Sequence, residues 1–111
     1  MPVSDPSVAA QIVAPNEEPR FFDDLRCLRD YLAAEHSLPR GAVAYVADHR
    51  TRDWVKARQA VFASVPALQT PMGSHWAAYV DEHSRQADPA GVGSTPVPAS
   101  DVFGAAEPPG D

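Results

Sequence analysis

The stretch RFFDDLRCLRDYL, residues 20–32, decides the fold because it joins a predicted strand to the one long predicted helix. Residues 20–22 favour an extended conformation. Asp23 and Asp24 then offer side-chain oxygens to the unpaired amides of a helix N-terminus and place negative charge at the positive end of the helix dipole. We expect a helix of about 12 residues that ends near residue 37, ahead of a proline and a glycine. Its apolar face consists of residues at helical spacing, namely Leu25, Leu28, Tyr31 and Leu32.

The segments on either side of this helix predict strands. Residues 7–15 contain several β-branched side chains and end at a proline, and residues 16–19 have the composition of a turn, so the first two strands are expected to form a hairpin. Residues 42–47 (AVAYVA) are almost wholly apolar, which is typical of a strand covered on both faces. Together these segments predict the order strand, strand, helix, strand over residues 7–47.

The next part of the chain also predicts mostly strands. Residues 48–53 form a polar turn, and residues 54–65 fit either one bent strand or two short ones, which gives a second hairpin. Residues 75–80 (HWAAYV) predict another strand, and residues 82–87 a short helix. The predicted fold class is therefore α+β, with small antiparallel sheets and one main helix.

Composition divides the chain at residue 87. Residues 1–87 carry eleven acidic and nine basic side chains, whereas residues 88–111 carry four acidic side chains, no basic one, five prolines and four glycines. We predict one domain over residues 1–87 and an acidic, partly disordered tail over residues 88–111. Within the tail, residues 97–103 are expected to dock as an edge element. The sequence shows no internal repeat strong enough to claim.

Charge and apolar patterning argue against several classes of function. The formal net charge is -6 and no basic face is evident, so no nucleic acid and no DNA partner is predicted. No apolar run is long enough for a transmembrane segment, and residues 1–5 lack the basic and apolar parts of a signal peptide. The single cysteine, Cys27, cannot form an internal disulfide and is expected to be a small core residue.

A tight turn, Thr70-Pro71-Met72-Gly73, carries one of only two methionines in the chain. A thioether held between a proline and a glycine is a candidate ligand for a soft metal ion. His75 is the one histidine expected to lie near such a site. The alternatives are a flexible core-filling side chain for Met72 and a solvent-facing strand residue for His75.

Short motifs follow one another along the chain: Ala10-Gln11-Ile12, Phe22-Asp23-Asp24-Leu25 with Cys27 and Tyr31, a strand end at residues 46–48, Trp54, Ala60 and Thr70-Pro71-Met72-Gly73. Their order and spacing resemble the NosL family, the nitrous oxide reductase accessory proteins. The resemblance runs from Met1 to about Val80. NosL proteins are exported lipoproteins that bind copper(I) and help to deliver it to the tetranuclear copper centre of nitrous oxide reductase. Their fold is built from small ββαβ units.

The resemblance implies copper(I) as the bound metal, nitrous oxide reductase and its copper-delivery machinery as partners, and a periplasmic or cell-envelope location. Met72 stands where the family has the methionine of a Thr-Pro-Met-Gly motif, and Met1 where it has the methionine of a Cys-Gly-Met motif. The cysteine of that second motif is absent, and the sequence as written predicts a cytoplasmic chain. We therefore expect that the start was assigned at an internal methionine or that the chain was trimmed there.

Two functions follow from these residues. The first is a copper(I)-binding accessory protein, or metallochaperone, whose candidate metal ligands are Met72, Met1 and His75. The second is a metal-free protein-interaction module derived from the same family. An enzyme is not predicted, because the sequence has no Ser-His-Asp spacing, no glycine-rich phosphate loop and no paired thiols.

Overall fold

The described chain forms seven strands, three α-helices and two short 3-10 helices. The structure is a computed structural model that describes residues 5–34 and 38–110. The strands are β1 (Ala10–Val13), β2 (Arg20–Phe22), β3 (Val43–Ala47), β4 (Trp54–Lys56), β5 (Val61–Ser64), β6 (Trp76–Tyr79) and β7 (Thr95–Val97). The helices are α1 (Leu25–Ala34), α2 (Glu82–Ala87) and α3 (Ala99–Phe103), with 3-10 helices at Pro6–Val8 and Pro89–Gly91. The α+β class with two small antiparallel sheets is confirmed.

The chain before β1 differs from its prediction. A strand was expected over residues 7–15, but a 3-10 helix forms first at Pro6–Val8. The cause is local, because the Asp5 carboxylate accepts hydrogen bonds from both the amide and the hydroxyl of Ser7. These bonds favour a turn over the ladder of a sheet.

The first sheet has the strand order β2-β1-β3-β4, and all neighbours are antiparallel. Ala10 lies opposite Phe22 on one side and Val46 on the other, so these three side chains share a face. Helix α1 covers that face, and each leucine buried there contributes about 1.5–3 kcal/mol. The leucines that α1 buries are Leu25, Leu28 and Leu32.

The opposite face of this sheet is more open than predicted. β3 was expected to be covered on both sides, but Val43 and Tyr45 are only half-buried, whereas Ala44 and Val46 are fully buried. Residues 35–37, where the helix was expected to end, lie outside the described residues. Among the residues that are described, no helix has the length and apolar character needed to cross a membrane.

Residues 54–65 were expected to form either one bent strand or two short ones. They form two strands, β4 and β5, which belong to different sheets. β4 ends the first sheet, and a turn closed by a hydrogen bond from the Ala60 amide to the Lys56 carbonyl leads into β5. β5 is the middle strand of the second sheet, whose order is β6-β5-β7. The chain therefore changes sheets within a few residues.

The two sheets are built on the same plan. The first contains the order β1, β2, α1, β3, and the second the order β5, β6, α2, β7. In both, the first strand of the unit lies between the second and the third. The fold is thus two ββαβ units, with β4 added to the edge of the first.

The segment after residue 87 packs against the rest of the molecule. β7 pairs with β5, and α3 buries Val102 and Phe103 in the main core. The Phe103 ring contacts Phe62 edge to face, with 5.5 Å between ring centroids. Further on, the Pro109 carbonyl accepts a hydrogen bond of 3.0 Å from the amide of Ala44. The domain boundary at residue 87 stays a prediction. The segment after it contributes Val102 and Phe103 to the main core.

We expect Phe103→Ala to lower the free energy of unfolding by about 3–5 kcal/mol, because it leaves a cavity beside Phe62. Val92→Ala is the matched control in the same segment, since the Val92 side chain is 73% exposed, and it should change stability by less than about 0.5 kcal/mol. Urea unfolding followed by tryptophan fluorescence measures both. Equal midpoints for Phe103→Ala and the unmodified protein would contradict this packing.

Candidate metal site

The methionine turn, residues 70–74, projects from the connection between β5 and β6. The amide of Gly73 donates a hydrogen bond of 2.9 Å to the carbonyl of Thr70, which closes a four-residue β-turn. Pro71 occupies its second position and Gly73, with a φ of 69°, its fourth, as favoured for such turns. The Met72 side chain is 49% exposed and therefore does not fill the core.

A fully buried carboxylate, that of Asp24, anchors the methionine turn. Its Oδ2 accepts a hydrogen bond of 2.8 Å from the amide of Met72, and its Oδ1 accepts one of 2.6 Å from the hydroxyl of Ser74. Oδ1 also accepts a bond of 2.9 Å from the amide of Arg26 at the start of α1. One side chain thus joins the beginning of the helix to the methionine turn.

The predicted capping role of the two aspartates is confirmed for Asp24 alone. Its carbonyl accepts the hydrogen bonds of the Cys27 and Leu28 amides, and its carboxylate that of Arg26, as expected of an N-cap residue. Asp23 contacts a different group, since its carboxylate accepts a weak bond of 3.8 Å from the Cys27 thiol.

The Asp24 carboxylate is charged at neutral pH despite its burial. Burial raises its pKa, but hydrogen bonds from the Ser74 hydroxyl and from the amides of Arg26 and Met72 outweigh that effect and hold the pKa below its usual value. A charged acceptor strengthens each of these hydrogen bonds relative to a neutral one. The methionine turn is therefore held by charge-assisted bonds inside the protein.

His75 follows the methionine turn in a left-handed backbone conformation, with a φ of 60°. Its amide donates to the Thr70 hydroxyl oxygen over 3.2 Å, and its ring Nδ1 lies 2.7 Å from the Leu68 carbonyl oxygen. Because a carbonyl can only accept, Nδ1 carries the hydrogen and a neutral ring keeps the Nε2 lone pair for another partner. Histidines that bind a metal through Nε2 almost always donate the Nδ1 hydrogen to a carbonyl, a carboxylate or water, as His75 does here.

Cys27 is a poor candidate for a thiolate ligand. The side chain is half-buried and packs against the main core. Burial raises the pKa of its thiol, and the negative charges of Asp23 and Asp24 raise it further. The thiol therefore stays protonated at neutral pH, in agreement with the core role predicted for it.

Cys27 is one of the residues that line an open groove, which does not include the methionine turn. It has a volume of about 540 Å³, and the residues of the edge strand β2 line it. Phe22 and Tyr31 contribute apolar surface to it, and Glu17 and Asp23 contribute acidic groups. Neither Met72 nor His75 lines this groove.

A second buried carboxylate, Asp48, was not singled out in the sequence. It accepts hydrogen bonds of 2.8 Å from the Val80 amide and from the Ser84 hydroxyl, and two more from the amides of Arg50 and Thr51. Burial raises its pKa, but the bonds from Val80, Ser84 and Thr51 lower it more, so the pKa lies below its usual value. Asp48 links the end of β3 to the start of α2.

His49 belongs to a buried group that the sequence also left unassigned. Its Nδ1 lies 2.6 Å from the Asp88 carboxylate, which also accepts a bond of 2.8 Å from the Tyr79 hydroxyl. Burial raises the pKa of Tyr79 well above its usual value, and the bond to Asp88 raises it further. His49 and Asp88 are 39 positions apart in the chain, so no local motif could have paired them.

The other predicted ligand, Met1, lies outside the described residues, as does His36. Within residues 5–34 and 38–110, no group of three or more His, Cys, Asp or Glu side chains forms a metal site. Of the predicted ligands, Met72 and His75 lie three positions apart in the chain, and the Met72 amide is bonded to Asp24 at the N-terminus of α1. Their role as ligands stays a prediction.

Comparison with known proteins adds no relative: no family model, no curated protein and no solved structure matches this chain. The resemblance to NosL therefore stays a prediction that depends on the quoted motifs.

The lowered pKa of the buried Asp48 predicts that the protein loses stability in acid. Because hydrogen bonds hold the pKa of Asp48 below the usual value of 3.8, its stabilisation is complete above that pH and is lost as the pH falls through the lower folded-state value. Asp48→Asn should therefore cost about 1–3 kcal/mol at pH 7, and the difference from the unmodified protein should shrink below about pH 4.

Urea unfolding at a series of pH values measures this difference. Asp53→Asn is the matched control, since it lies on the same turn with an exposed side chain, and it should alter stability by less than about 0.5 kcal/mol. A loss in Asp48→Asn that is the same at pH 7 and pH 3 would show that the charge of Asp48 does not contribute.

Proposed function

We propose that this protein is a copper(I)-binding accessory protein of the NosL type, which helps to assemble the copper centre of nitrous oxide reductase. The observation that carries the proposal is the exposed thioether of Met72 on a turn held by a buried carboxylate. A methionine that only filled the core would be buried, and its turn would not need to be held by a buried carboxylate. The resemblance to NosL supplies the identity of the metal and of the recipient.

The ligand chemistry of the methionine turn suits copper(I). Thioether sulfur is a soft donor that favours Cu(I), and imidazole also binds copper. Met72 offers the first and His75, through Nε2, offers the second. Met1 is the third ligand of the proposal. The two thioethers and an imidazole that binds through Nε2 are uncharged ligands, so the complex keeps the single positive charge of copper(I).

Exposure of the site suits transfer of the metal rather than its permanent storage. With half of the Met72 side chain exposed, a ligand from the recipient protein can approach the ion before the first ligands leave. Exchange of this kind forms and breaks only coordination bonds. The proposed protein is therefore not an enzyme, and it acts in the periplasm or at the cell envelope, where the resemblance puts the family.

A second function, a metal-free interaction module, is favoured by a different surface. Phe21 and Trp54 are both 43% exposed, and their rings lie 6.3 Å apart on the outer face of the first sheet. Exposed aromatic side chains that adjoin each other are common at protein-protein contacts.

Pull-down of nitrous oxide reductase with and without copper(I) separates the two functions, because only the accessory protein requires the metal.

The direct test is a titration of the reduced protein with copper(I) against the chromophoric chelator bicinchoninate. Met72→Leu keeps the shape of the side chain but removes the sulfur, and we expect it to weaken binding by roughly tenfold or more, equivalent to about 1.4 kcal/mol. Its thermal unfolding should not change, since the side chain is exposed. A form lengthened by Cys-Gly before Met1 should bind more tightly, because it adds a thiolate.

Two results would reject the proposal. One is an affinity of the unmodified protein no greater than that of a copper-inert control protein, with no gain in the lengthened form. The other is an unchanged affinity in Met72→Leu, which would remove the methionine turn from the site.

A further inference from the structure

The Asp24 carboxylate contacts the methionine turn on both sides of the sulfur-bearing residue. Oδ2 holds the amide of Met72 itself, and Oδ1 holds the hydroxyl of Ser74 two positions later. The amide of the second candidate ligand, His75, is held by the Thr70 hydroxyl oxygen. The backbone amides of both candidate ligands are thus fixed before any metal arrives.

From this geometry we propose that Asp24 is a positioning residue that sets the copper(I) affinity of the methionine turn. The inference rests on the proposed function. Asp24 does not bind the metal, since its oxygens are buried and occupied by three hydrogen-bond donors. It acts by fixing the backbone of the turn that carries the Met72 thioether.

Only a carboxylate satisfies the donors at this position. The amides of Arg26 and Met72 can only donate, and they lie on different oxygens of Asp24. An asparagine has one acceptor oxygen and one donor nitrogen, so one of these amides would face another donor.

The expected benefit is preorganisation. If the methionine turn were free, copper(I) would have to order several backbone residues on binding, and each ordered residue opposes binding through lost entropy. Groups that orient metal ligands from the outside commonly change metal affinity by about 10- to 100-fold. The helix that carries Asp24 also flanks the strand after the turn, because the Arg29 guanidinium lies 5.7 Å from the ring centre of Trp76.

Ser74→Ala tests this inference without removing the Asp24 carboxylate from the helix. The structure offers a matched control, Ser84→Ala, because the buried Ser84 hydroxyl donates to the buried Asp48 carboxylate in the same way, over 2.8 Å. Copper(I) affinity is measured against bicinchoninate on the full chain, together with thermal unfolding. We expect a roughly tenfold weaker affinity in Ser74→Ala, an unchanged affinity in Ser84→Ala, and recovery in Ser74→Thr, which restores the hydroxyl.

Asp24→Asn gives a second, more direct variant and should weaken binding at least as much as Ser74→Ala. The inference is wrong if Ser74→Ala and Asp24→Asn bind copper(I) as tightly as the unmodified protein. It is also wrong if Ser74→Ala and Ser84→Ala weaken binding equally, because the effect is then one of general stability. Met72→Leu belongs in the same series: a loss there without a loss in either Ser74→Ala or Asp24→Asn rejects the role of Asp24 alone, whereas no loss in any variant rejects the proposed function as well.

Discussion

The hydrogen bonds of the buried Asp24 carboxylate are the constraint on which the arrangement of the candidate site depends. The bond from the Arg26 amide caps the N-terminus of helix α1, and the bonds from the Met72 amide and the Ser74 hydroxyl fix the methionine turn. Burying a charge is unfavourable unless its hydrogen-bonding capacity is used. The carboxylate therefore tolerates little displacement of the turn that carries Met72.

A second carboxylate extends the same principle to the whole fold. Asp24 follows β2 and Asp48 follows β3, so both belong to the first ββαβ unit. Each accepts hydrogen bonds from the second unit, Asp24 at the methionine turn and Asp48 at Val80 and Ser84. The apolar core formed by α1, α3 and both sheets brings the units together, and the two carboxylates fix their register. Breaking one such bond leaves a buried charge without a full set of donors, so we expect these contacts to resist small rearrangements.

Local patterns made part of this structure predictable. The cap at Asp24 joins residues two positions apart, and the helix that follows has an unambiguous apolar spacing. The contact between Asp24 and Ser74 spans 50 positions, and no single sequence indicates which donors a buried acid will meet. The resemblance implied ββαβ units, but the sequence itself shows no repeat, because the first hairpin turns within residues 14–19 whereas the second requires residues 65–75, which removes any fixed period. For the site, the exposed turn could be inferred from its proline and glycine, but its attachment to α1 could not.

Native-state hydrogen exchange of the Met72 amide tests the central claim most directly, because this amide belongs to a half-exposed residue and its hydrogen bond goes to Asp24 rather than to a strand or helix. Our account predicts that it exchanges slowly, with protection similar to that of the amides in α1. Exchange at the rate of an unfolded chain, while α1 remains protected, would contradict the anchoring of the methionine turn by Asp24.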